Sequence, residues 1–347
     1  MGYEIQAASL ADDKEAILEF WKRRFPNWSP DKVTWFYENN VSGKATCFLA
    51  KETAGNQIVG AAAIFPREFV LKGELMRAGI TGDFAVDEKH RGFGPAVLLQ
   101  RAIVETCERG EYDFLYGYPN HSSLPVQRRV GFEILGSTAR VVKILRYRPY
   151  MGQRGGSLVV NRALGAALDP VARVLEREQW HKLPAELLGE RIDIFDTRFD
   201  EFYRKCSQKS CLLGERTRRF LHWRFGLCPQ RNYQIFTLTE KDENGLLGYV
   251  VYSLEERHAN IADFLACDNE MTLEHLLASF CGYLRASGLW SVSVIYLGSS
   301  SVLQKLRKMG FHEREDKRDV VIYATKDALG EYLKNVENWH FLDGDND

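Results

Sequence analysis

Apolar and polar residues alternate from Tyr3 to Ala8, the period of a half-buried strand. The period then becomes helical at Ile17, Leu18, Trp21 and Phe25, behind Asp12 or Asp13 as a cap. Pro26-Asn27-Trp28 breaks that helix, and Ser29-Pro30 opens a short second one holding Val33, Trp35, Phe36 and Tyr37. Apolar runs at Cys47–Ala50 and Ile58–Phe65 flank Ala54-Gly55-Asn56 and predict a hairpin. Met76–Val86 predicts the next strand, which runs into a glycine turn and a helix with Val97, Leu98 and Leu99. A strand at Phe114–Tyr118, a short helix, and Gly131-Phe132 entering another strand complete this set.

From about Arg191 the pattern begins again. Arg191–Phe195 predicts a strand like the first, and Phe199, Phe202 and Tyr203 a helix like the first. Phe220–Phe225 mirrors Val33–Tyr37, Leu246–Tyr252 mirrors Ile58–Ile64, and Ala262–Leu265 mirrors Gly82–Ala85. Ser291–Leu297 is the strand before the last helix, and Lys308–Phe311 mirrors Arg129–Phe132. The offset stays near about 180 to 190 residues throughout, which chance similarity would not hold. The expected organisation is a first domain over 1–148, a linker over 149–190 and a second domain over 191–347. Tyr147–Gly156, rich in Arg, Pro and Gly, reads as the linker's start. Leu158–Trp180 reads as an amphipathic helix that Pro170 breaks or kinks. Its basic face is thin and interrupted by Glu176 and Glu178, so it is expected to pack between domains rather than on a membrane.

Composition narrows the class. The 347 residues exceed one ordinary core, and Lys+Arg 46 against Asp+Glu 47 leaves no basic field for nucleic acid. Seven cysteines, an odd number without a C-x-x-C, favour reduced thiols over a disulfide framework or a zinc site, so no metal is expected. The N-terminus has no signal-peptide pattern and no apolar run is long enough for a bilayer, so the expected location is the cytoplasm.

Candidate chemistry concentrates after Phe84-Ala85-Val86. Asp87-Glu88-Lys89-His90-Arg91-Gly92-Phe93-Gly94-Pro95-Ala96 is a basic, glycine-rich turn opening a helix. Gly92 and Gly94 allow close backbone approach, and Pro95 suits the first helical position. The free N–H groups of such a helix start attract a phosphate or pyrophosphate, and Arg91, Lys89 and His90 add positive charge. A plain strand-to-helix glycine turn would use the same residues. The spacing is neither Gly-x-Gly-x-x-Gly nor a Gly-Lys-Ser/Thr loop.

The run Arg91-Gly92-Phe93-Gly94-Pro95-Ala96 resembles the acyl-CoA loop of the GNAT N-acetyltransferase superfamily, Gln/Arg-x-x-Gly-x-Gly/Ala. Asn120, Ser123, Gly131 and Phe132 resemble the second signature, in which the Asn caps or contacts the cofactor arm. The position of the family's proton-donating Tyr holds Gln127, so the donor would be Tyr116, Tyr118, a Ser or water. The resemblance implies an α/β (α+β) fold of two tandem GNAT-like domains, each with a mixed, mostly antiparallel central sheet flanked by helices. It implies acetyl-CoA or another acyl-CoA as cosubstrate, held by Phe84, Ala85, Val86, Arg91, Gly92, Phe93, Gly94, Pro95, Ala96, Asn120 and Ser123. Backbone N–H groups near Phe84 to Val86 would polarise the thioester carbonyl.

Asp83 stands where family members place a base or its ordered water, so Asp83 and Tyr118 are the catalytic candidates. Asp263 occupies the matching place in the second copy, where a structural hydrogen bond explains it as well. That copy has Ala266-Cys267-Asp268-Asn269-Glu270 where the glycine turn would be, so one acyl-CoA site is expected, in the first half. The aromatics Trp35-Phe36-Tyr37 could wall an acceptor site or pack the second helix on the sheet. The ending Trp339–Asp347 reads as a solvated acidic tail, its alternating Asp stopping short of a calcium loop. It is similar to the endings of two-domain acyltransferases of bacterial polysaccharide or cell-envelope gene clusters, which implies an amino sugar, free or nucleotide-linked, as the amine acceptor. The alternatives are an aminoacyltransferase resembling the peptidoglycan-bridge (Fem-type) enzymes and a non-catalytic acyl-CoA-binding protein.

Overall fold

The computed structural model describes residues 2–25, 28–55, 57–92, 94–147, 183–208, 211–242, 245–266, 271–324 and 327–346. The expected helix at Leu158–Trp180, most of the linker, Phe93 and Cys267–Glu270 lie outside these residues. In chain order, β1 (Tyr3–Ala8), α1 (Lys14–Arg24), β2 (Thr46–Glu52), β3 (Ile58–Leu71) and β4 (Glu74–Val86) lead to α2 (Pro95–Glu108). Then come β5 (Phe114–Gly117), α3 (Leu124–Arg129), β6 (Glu133–Ser137) and β7 (Ala139–Ile144). The second half brings β8 (Leu187–Ile192), α4 (Thr197–Cys206), β9 (Leu212–Gly214), β10 (Tyr233–Glu240), β11 (Leu246–Glu255) and β12 (His258–Ala266). It ends with α5 (Thr272–Ala286), β13 (Ser291–Gly298), α6 (Ser300–Lys308), β14 (His312–Glu313), β15 (Asp319–Ala324) and β16 (Trp339–Leu342).

These strands form one mixed sheet, antiparallel except at β4–β5, β12–β13 and β9–β16. Its topology crosses the repeat at several places, β3 pairing with β9 among them. β7, encoded in the first half, pairs with β13 of the second. β15, encoded in the second half, inserts between β5 and β6 of the first. The hairpins β6–β7 and β14–β15 thus exchange their second strands. They meet at their turns, where Thr138 N donates to Arg318 O at 2.8 Å.

A second junction joins equivalent positions of the repeat. Val33–Glu38 and His222–Gly226 are both single π-helical turns. Trp35 Nε1 donates to the Trp223 carbonyl at 2.8 Å, and Trp223 Nε1 donates to the Trp35 carbonyl at 3.0 Å. Two buried indoles satisfy each other's backbone reciprocally, as a two-fold arrangement of the copies requires. The surrounding core takes side chains from both halves, including Phe36, Phe65, Phe69, Phe114, Phe199 and Phe225.

Three expectations are corrected. The strand placed at Arg191–Phe195 is β8, Leu187–Ile192; Ile194 is 70% exposed. The chain turns early because Asp196 caps α4, its side chain accepting from Arg198 N. Cys206, expected as a reduced thiol, is disulfide-bonded. The solvated tail is instead a buried strand and turn: Trp339 and Phe341 are in the core, and Asp345 is 0% exposed. Asp345 Oδ1 accepts from Arg67 Nη2 at 3.1 Å and from Arg216 Nη1 at 2.9 Å. Tyr116 Oη donates to the Asp345 carbonyl at 2.7 Å. Burial opposes the Asp345 charge, yet Arg216 and Arg67 outweigh it and hold the carboxyl below its ordinary range.

Candidate functional site

The site begins with a break in sheet register. Ala61 faces Ala85 but Ala63 faces Gly82, so Asp83 and Phe84 together oppose Ala62. This is a β-bulge, and Asp83 sits in it with φ 40°. A carboxylate residue tolerates that conformation where a branched side chain would not. Three donors fix its carboxylate: Lys32 Nζ at 2.9 Å, Tyr37 Oη at 2.7 Å and Trp28 Nε1 at 3.4 Å. Asp263 stands at the corresponding bulge of the second half, where Arg216 (2.9 Å) and Tyr249 (2.6 Å) enclose it at 1% exposure. The two aspartates differ in backbone as well as in surroundings: Asp263 pairs with Val251 and Ala262 is the extra residue there, and Asp83 reaches open space while Asp263 does not.

Beyond the bulge the sheet splits. β4 and β5 pair in parallel only from Ala78–Phe114 to Thr81–Gly117, and β4 then runs on to Val86 with β3 but without β5. Gly117 is needed at the last pair, since a Cβ there would stand 2.2 Å from Thr81 Oγ1. Along Phe84–Val86 the edge of β4 facing β5 carries no paired strand, so its backbone groups point into a wedge.

The glycine turn lies at the mouth of that wedge. Gly92 and Gly94 have φ 90° and 104°, and a Cβ at either would meet no atom within 4 Å. Their requirement is the left-handed backbone and open space in front of it, which is a cradle. Gly94 is the N-cap of α2 and Pro95 its first residue, so the N–H groups of Ala96 and Val97 face outward at the positive end of a 14-residue helix. Arg91 is exposed beside it. On the other side, Asn120 Oδ1 accepts from Ser122 N at 2.9 Å and Ser123 N at 3.0 Å, which fixes the start of α3. Asn120 therefore closes the turn that leads into α3, whose N-cap is Ser123.

Gln127 is buried on α3, with Nε2 on Thr81 Oγ1 at 3.3 Å. Tyr118 follows β5 directly and donates to or accepts from Thr138 Oγ1 at 3.0 Å, with the Arg318 guanidinium 5.7 Å from its ring centre. Burial pushes the Tyr118 hydroxyl's pKa up, while Thr138 and Arg318 pull it part of the way back, so it stays protonated.

Asp83 and Tyr118 open onto one cleft of about 1080 Å³, lined by residues of both halves. The first half gives Trp28, Lys32 and Trp35; the second gives Tyr233, Asn260 and Ser293. Trp35 thus serves as wall and core at once, while Phe36 and Tyr37 are buried in packing. Sequence reasoning named Asp83 and Tyr118 as candidates, and both line this cleft. It missed Lys32, Thr138, Arg318 and the second-half residues, which strand register and the exchanged hairpins bring in.

In the second half the matching wedge is filled. β12 and β13 pair only as far as Ile261–Val294. Past that point β16 lies on β13 from Tyr296–Leu342 to Gly298–His340. His340 Nε2, the proton-bearing nitrogen of a neutral ring, bonds to the Phe264 carbonyl at 2.8 Å. Burial first, and Arg216 second, keep that imidazole below its ordinary pKa.

Comparison with known proteins agrees with this geometry. Residues 4–135 match the family model of the acetyltransferase (GNAT) domain. No curated protein sequence matches the chain. A protein of unknown function from Enterococcus faecalis V583, called a probable N-acyltransferase, superposes with TM-score 0.67 at 12% identity, over 93% of this chain and 72% of that one. A GCN5-related N-acetyltransferase from Anabaena variabilis ATCC 29413 gives 0.62 at 15% identity, over 92% and 72%. A tandem GNAT protein from the clavulanic acid biosynthesis pathway gives 0.54 at 12% identity, over 94% and 100%. Residues 4–135 thus match an acetyltransferase (GNAT) domain, and nearly the whole chain shares the fold of these GNAT proteins, a tandem one among them.

Proposed function

We propose that the protein transfers an acyl group, acetyl in its simplest form, from acyl-CoA to a primary amine of a small molecule, with an amino sugar as the narrower form. The observation that carries this is the wedge between β4 and β5, with the glycine cradle at its mouth and Asp83 and Tyr118 on its cleft side. The cradle and the start of α2 suit a pyrophosphate, and Arg91 adds a cation. The unpaired edge of β4 suits a pantetheine arm, and its N–H groups near Phe84–Val86 would stabilise negative charge developing on the thioester oxygen. The bound cosubstrate supplies an activated acyl carbon. Lys32, Tyr37 and Trp28 occupy both oxygens of Asp83. Asp83 then anchors the amine by a hydrogen bond, and the amine's proton passes to solvent in the cleft. Tyr118 protonates the departing thiolate, the role that Gln127 lacks the acidity to fill. One cosubstrate binds per chain, because β16 fills the second wedge.

A thermal-shift titration with CoA, acetyl-CoA and longer acyl-CoAs tests this reading, repeated on Gly94→Glu. A ligand at about 100 times its Kd should stabilise the fold by about 2.7 kcal/mol. The shift should vanish in the variant, where a side chain is forced onto φ 104° and a carboxylate faces the cradle. Absence of any shift with folded wild-type protein overturns the proposal and favours the aminoacyl-tRNA alternative.

A further inference from the structure

We infer that the sheet face of the second half binds the distal part of the acceptor, and that this part is a polyhydroxylated, sugar-like frame. The inference rests on the acyl-transfer reading of the same cleft. Tyr233, Ser253, Asn260 and Ser293 stand directly opposite one another on β10, β11, β12 and β13. All four line the cleft. Neighbouring strands are about 4.8 Å apart, so the row offers polar groups at regular steps across the floor. Ser293 Oγ donates to Asn260 Oδ1 at 2.7 Å, which fixes the amide and leaves its Nδ2 as a donor. Neither that nitrogen nor Ser253 Oγ has a hydrogen-bond partner among the described residues.

These groups are neutral and both give and accept hydrogen bonds, which is what hydroxyls require. The cleft's charges are largely matched within it: Lys32 with Asp83 at 2.9 Å, Arg140 with Asp316 at 3.6 Å, Arg231 with Asp343 at 3.6 Å. Trp28, Trp35 and Tyr233 also line the cleft and add aromatic surface, of which Trp28 and Tyr233 are the more accessible. A peptide acceptor would seek an unpaired strand edge, whereas β11, β12 and β13 are paired on both sides at the row and only β10, at Tyr233, is paired on one side. The volume, about 1080 Å³, is at the upper end for small-molecule sites and far exceeds what a simple alkylamine fills.

The test uses the full chain saturated with CoA and isothermal titration of two probes. One is the β-1,4 disaccharide of glucosamine; the other is cyclohexylamine, an amine on a ring without hydroxyls. The disaccharide should bind at least tenfold more tightly. Asn260→Leu combined with Ser253→Val should remove most of that advantage and leave cyclohexylamine unchanged. Ser253→Ala alone, a milder change, should lose part of it, and melting curves confirm that each variant folds. Equal affinity for the two probes, or an undiminished sugar preference in folded variants, overturns the inference. Acyl transfer is read separately as thiol released from acetyl-CoA. Transfer to cyclohexylamine without sugar preference defeats the inference alone; sugar binding on the row with no thiol release from any amine defeats the function alone.

Discussion

At the scale of single residues, chemistry was legible where one side chain or its absence carries the meaning. Gly92 and Gly94 are glycines because the backbone goes left-handed there. Asp83 stood out by its place before the turn. The groups that give Asp83 and Tyr118 their character did not stand out, because Lys32, Thr138 and Arg318 reach them from 51, 20 and 200 residues away. The sequence parallel with Asp263 suggested a shared structural role. Both halves have a register shift at that place, but the side chains differ, since one carboxylate lines a cleft and the other lies beneath Arg216. Tyr118→Phe should lower kcat by about 10²- to 10⁴-fold, the usual contribution of a positioned acid, with KM for acyl-CoA little changed. Steady-state thiol-release assays check this; an unchanged kcat would move the proton donor elsewhere.

At the scale of elements, periodicity served well for α1, β2 to β4 and the paired π-helical turns, because each buries one face locally. It failed where an element's partner is remote. The terminal Asp residues read as solvated because no cation stands near them in sequence. Arg216 and Arg67 lie 129 and 278 positions from Asp345. Removing that carboxylate leaves the buried Arg67 guanidinium without its carboxylate and Arg216 with Asp263 alone, so Asp345→Asn should destabilise by about 3–5 kcal/mol in chemical denaturation. The same pair sets a pH dependence. The folded pKa of Asp345 is depressed, so its stabilisation is complete above the unfolded value, about 3.9, and is lost as pH falls toward the folded value. Denaturation midpoints of wild type should drop more steeply below pH 4 than those of the variant.

At the scale of the molecule, the repeat announced two copies but not how they interlock. A constant offset reports that elements recur; it is silent on which copy supplies a strand's neighbour. With β7 lying on β13 and β15 between β5 and β6, each half exposes an unfilled slot when alone. Fragments 1–160 and 178–347, each expressed alone, should aggregate, whereas co-expressed they should co-purify as a one-to-one complex that responds to acyl-CoA. Separate soluble, folded halves would contradict this. The exchange also bears on synthesis. Every residue proposed to hold the cosubstrate is translated before position 124, yet β5, which forms one side of the wedge, has only β4 beside it until β15 leaves the ribosome some 200 residues later. The nascent chain thus carries the proposed active centre written but unassembled for most of its elongation. A premature stop codon anywhere before residue 319 should silence it as completely as a mutation in the glycine turn.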